Sequence, residues 1–88
     1  MSTYYFATFE SRSKTDTSVK TVFNVILKDV HPVIWLSNAP ALFRAKWIAC
    51  LLFWSEISED VAIDGGKYIP IEGAGSTFGI REVIAKSV

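Results

Sequence analysis

The sequence predicts an α+β domain: an antiparallel sheet, built from an N-terminal hairpin and later strands, packed against one main helix. Three observations carry that expectation. Tyr4 to Phe9 and Val19 to Val30 are dense in the β-branched and aromatic residues that favour a pleated surface. Between them lies a wholly polar run, residues 11–18, which reads as a flexible hairpin loop. Asn38 to Ile57 then carries a helix-start signal followed by apolar residues at helical spacing. Strands followed by a covering helix define the class.

At 88 residues the chain can bury one core and is too short for two, so residues 1–88 read as a single domain. Half of them are hydrophobic and 14% aromatic, which excludes a disordered chain. That apolar share is high for a small domain and points to oligomerisation or a partner.

In the second strand Val19, Thr21, Phe23, Val25 and Leu27 share one face, and Lys20, Val22, Asn24, Ile26 and Lys28 the other. The alternation marks a half-buried strand with the first set inward. Pro32 ends it, because proline cannot donate to a ladder and holds His31 out of the helical region. Val33 to Leu36 reads as a third strand or as an extended lead into the helix.

Asn38 can cap a helix whose first turn accommodates Pro40. From Ala39 to Ile57, steps of about 100° put Leu42, Phe43, Lys46, Trp47, Cys50, Phe53, Trp54 and Ile57 on one core-facing stripe. Ala41, Ala45 and Ala49 form a ridge of small residues on the far side, beside Ile48 and Leu52. Such a helix would be covered twice, once by the sheet and once by another surface. Glu56, Glu59 and Asp60 would sit badly at its negative end, so it should stop near Ile57.

Two continuations compete over residues 58–71. Ser58 could cap a single helical turn ending at Gly65; alternatively Val61 to Ile63 and Lys67 to Ile71 pair around Asp64-Gly65, a dipeptide suited to a type I′ turn. The hairpin is the favoured expectation, with Pro70 placing its strand at a sheet edge. A short terminal helix is expected within Ser76 to Val88.

Several function classes are excluded or discounted. Nine basic and nine acidic residues leave no net charge to attract a nucleic acid or an anionic membrane. The apolar run Trp47 to Trp54 is far short of the roughly 20 residues a membrane span needs, and Tyr4 to Phe9 lacks the basic leader of a signal peptide. A cytoplasmic location is the corresponding expectation. Cys50 is the only cysteine, which rules out an internal disulfide or a multi-thiolate zinc site and reads as a small core residue.

Candidate chemistry is sparse. Gly73-Ala-Gly75-Ser-Thr-Phe-Gly79 suggests a ligand loop at Gly73, Gly75, Ser76 and Thr77, but it lacks the P-loop lysine and the dinucleotide glycine spacing. An ordinary turn is the plainer reading. His31 has only Asp29 as a near carboxylate, and a histidine before proline usually faces solvent. Lys46 should lay its methylenes along the apolar stripe and free its ammonium at the rim. Tyr4, Tyr5 and Phe6 could stack on bases, yet only Lys20 and Lys28 would supply charge beside them. No cofactor, metal or catalytic set is expected.

The functional expectation is therefore a non-enzymatic protein-interaction module or small regulatory subunit that associates with itself. Its interface would use Ile48, Leu52, Ala45, Ala49 and Trp35. A binder of nucleic acid or of a small phosphorylated ligand, through the outer-strand lysines or the glycine loop, is the alternative.

Overall fold

The computed structural model describes residues 2–16, 18, 20–39 and 41–73, with the side chains of 41–43 excepted. Its elements run β1 (Tyr4–Ser13), β2 (Lys20–Lys28), α1 (Pro32–Ser37), α2 (Ala41–Lys46), β3 (Trp47–Ile57), α3 (Glu59–Gly65) and β4 (Ile71–Glu72). The four strands form one sheet in the order β3-β1-β2-β4. The domain is α+β as expected, but its sheet is mixed, because β4 joins β2 in parallel.

The hairpin of β1 and β2 is antiparallel, with Tyr4 opposite Lys28 and Arg12 opposite Lys20. Pairing thus continues into the polar run and leaves a shorter loop, within which Asp16 accepts from both the hydroxyl and the backbone N–H of Ser18. Those two bonds hold the Asp16 carboxyl below the usual carboxylate range. The expected alternation of β2 holds at Val25 and Leu27, which are buried, and fails at Ile26, which is buried as well. Ile26 is covered because both faces of the sheet are dressed.

On one face α1 seats Trp35 against Ala7, Phe9, Val25 and Leu27, and Trp47 completes that core. Phe9 contacts the Trp35 ring at 5.2 Å and Phe23 at 5.5 Å. On the other face α3 packs Ala62 onto Tyr4 and Ile26, with Phe6, Ile57 and Ile69 around them. β3 is antiparallel to β1, so the β3–α3–β4 segment crosses beneath both central strands to reach the opposite edge. Val33 to Leu36 belongs to neither alternative the sequence suggested: it is the body of α1. His31 caps that helix, its Nδ1 accepting from the N–H of Val33, and Pro32 occupies the first turn.

The largest correction concerns the expected Ala39 to Ile57 helix. Only residues 41–46 are helical there, and residues 47–57 form β3. A continuous apolar run fits either state, and Ile48, Phe53, Trp54 and Ile57 are of the types that sheets prefer. The tertiary reward decides it, since β3 pairs with β1 along its whole length. The favoured hairpin over 58–71 is also absent. Ser58 instead caps α3, its hydroxyl accepting from the N–H of Val61, and Glu59 and Asp60 lie in the first turn where the helix dipole suits them. Pro70 is therefore not inside a hairpin strand; it lies just before the two-residue edge strand β4. The proposed terminal helix lies outside the described residues.

Candidate interaction surface

β3 positions the surface of interest because it combines an edge position with apolar side chains. Thr8 of β1 stands opposite Phe53 and Phe9 opposite Leu51, so Leu52 is an extra residue in β3, a bulge. The bulge shifts the alternation. Trp47, Ala49, Leu51, Trp54 and Glu56 consequently share the α1 face with Ala7 and Phe9, and Ile48, Cys50, Phe53, Ser55 and Ile57 share the other.

Only part of that second face is covered. α3 reaches Phe6 and Ile57, whereas Ile48 is 57% exposed, Phe53 55%, Leu52 52% and, across the sheet on β2, Val22 54%. Phe53 touches Phe6 at a ring separation of 6.2 Å, which ties the exposed residues to the packed end. Glu10 lies between Val22 and Cys50, nearly buried, and pairs with the guanidinium of Arg12 at 2.6 Å. The face is therefore an apolar strip along β3 that meets a charged pair on β1.

The sequence-based interface residues scatter on this frame. Ile48 and Leu52 are indeed exposed, Ala49 is half-buried on the α1 side, and Ala45 is an exposed residue of α2. The ridge of Ala41, Ala45 and Ala49 does not exist, since the helix that would align them ends at Lys46. Trp35 is 2% exposed and belongs to the core. Cys50, expected in the core, is exposed. Trp54 is 43% exposed and leans on His31 at 4.5 Å and Tyr5 at 5.9 Å. Phe53, expected on the core stripe, is turned outward by the strand conformation and the bulge at Leu52.

Other candidates are dispersed. Lys46 is exposed at the end of α2 and lines an open recess of about 300 Å³ with Ser13, Thr15, Ala45 and Trp47. Hydroxyls and one ammonium make that recess polar, and among the described residues no carboxylate or imidazole lines it. His31 is committed to capping α1, and Asp29 accepts from the N–H of Thr3 at 2.9 Å, so the two form no acid–base pair. Of the glycine loop, Gly73 is exposed just after β4, and Gly75, Ser76 and Thr77 lie outside the described residues. Among the described residues no cluster of metal-binding side chains occurs and no helix is long and apolar enough to cross a membrane. Comparison with protein-family models, curated proteins and solved structures finds no match to this chain.

Proposed function

We propose that this chain is a non-enzymatic protein-interaction module or small regulatory subunit that associates with itself through β3. The single observation that carries the reading is the exposure of Ile48, Leu52 and Phe53 along one edge strand. Contiguous exposed apolar residues of this size mark contact surfaces, and large aromatics dominate such contacts when they become covered. The alternative through outer-strand lysines has less behind it. Lys20 and Lys28 stand at opposite ends of β2, about 27 Å apart along an extended strand, too far to act as one basic site beside Tyr4.

Light scattering tests the proposal. The chain is expected to show a mass above its 9.8 kDa monomer at micromolar concentration. Replacing Ile48 with Glu should return it to the monomer with its melting midpoint preserved, because Ile48 is exposed within the chain. A wild-type monomer over the whole concentration range would reject the reading.

A further inference from the structure

We propose that the association is edge to edge: β3 of one copy pairs antiparallel with β3 of a second copy about a two-fold axis near Leu51 and Leu52. Two four-stranded sheets become one continuous sheet. This rests on the self-association reading and adds the identity and orientation of the occupant.

The two edges of the sheet are unequal, and that inequality locates the contact. β4 is two residues long and follows Pro70, both common means of blunting an edge. β3 is eleven residues long, contains no proline or lysine, and carries one charged residue, Glu56; its one blunting device is the bulge at Leu52. Among the described residues no strand lies outside it. An edge of that length and apolarity is a template for another strand.

Charge then selects a second copy and its direction. Arg44 and Lys46 immediately precede β3, while Glu56 lies near its end and Glu59 just beyond, and all four are exposed. Antiparallel pairing about the strand centre brings the basic start of each copy to the acidic end of the other, twice. Parallel pairing would set like charges together, which is unfavourable. The same operation continues the faces: the Cys50 and Phe53 positions, both on the face opposite α1, come opposite one another across the axis.

The test uses two full-length variants, Arg44→Glu with Lys46→Glu, and Glu56→Lys with Glu59→Lys. Each alone sets like charges against like at both ends, and its dimer should dissociate about tenfold or more readily than wild type. An equimolar mixture restores both attractions, so dimers should reappear with an affinity within a few-fold of wild type. Recovery also demonstrates that each variant is folded. If the variants melt as wild type and the mixture stays monomeric, the pairing is wrong. If either single variant dimerises as wild type does, another surface carries the association, and the self-association reading survives without this geometry. A monomeric wild type overturns both. Should a charge reversal prevent folding, a salt titration of the wild-type dimer decides: several-fold weakening from low to physiological salt supports the paired ends, and salt-insensitive affinity overturns them.

Discussion

Trp35 and Trp54 stand on the same side of the sheet with different consequences, because one is 2% exposed and the other 43%. Trp35→Ala should remove about 3 to 5 kcal/mol and abolish a cooperative melt, whereas Trp54→Ala should cost under about 2 kcal/mol. Thermal denaturation of the two variants side by side checks the order. Ser11 is fully buried on β1, and its hydroxyl has no partner among the described residues. Replacing it with Ala removes an unpaired polar group, so stability by urea denaturation should stay level or rise by about 1 kcal/mol. At this scale the sequence was partly legible. Val25 and Leu27 could be placed inward from alternation alone, whereas Ile26 could not, because only α3 on the second face buries it. Trp54 was misplaced for a related reason: its exposure depends on strand geometry and a bulge, neither of which periodicity reports.

At the level of elements, the hairpin strands were legible and the change near Ile57 was located, although by a helix-dipole argument that does not apply to the strand before it, while the change at Trp47 left no local signal. Ser58 carries the boundary near Ile57. Ser58→Ala should cost about 1 kcal/mol through loss of its bond to the Val61 N–H, with faster amide exchange confined to α3 and its contacts at Ile26. An equal loss of protection across β1 and β3 would contradict an independent cap. The segment 47–57 eluded sequence reasoning because its type follows from a long-range pairing with β1, between residues 34 to 53 positions apart, which no local pattern contains. Val33 to Leu36 was misjudged on a similar ground: a short apolar run reads as extended until a sheet face is available to receive it as a helix, whereas the helix expected just after Asn38 does begin, at Ala41, and ends at Lys46.

For the whole molecule, the apolar excess of the sequence corresponds to exposed side chains on an edge strand, Ile48, Leu52, Phe53 and Trp54, where the sequence reading put it on a helix face. The balance of charge conceals an uneven distribution along β3, basic before it and acidic at its end, which net charge cannot report. Fluorescence anisotropy should show no salt-sensitive binding of single-stranded DNA or RNA at micromolar protein, since the chain has no net charge and Lys20 and Lys28 lie at opposite ends of β2. Tight binding lost on raising salt would contradict this. The central claim is that β3 is paired with its copy, and residue-resolved amide hydrogen exchange measured below and above the dimer dissociation constant tests it most directly. Alternate amides from Ile48 to Glu56, those pointing away from β1, should become protected only in the concentrated sample. Rapid exchange of those amides in a sample shown to be dimeric, or protection that does not change with concentration, would contradict it.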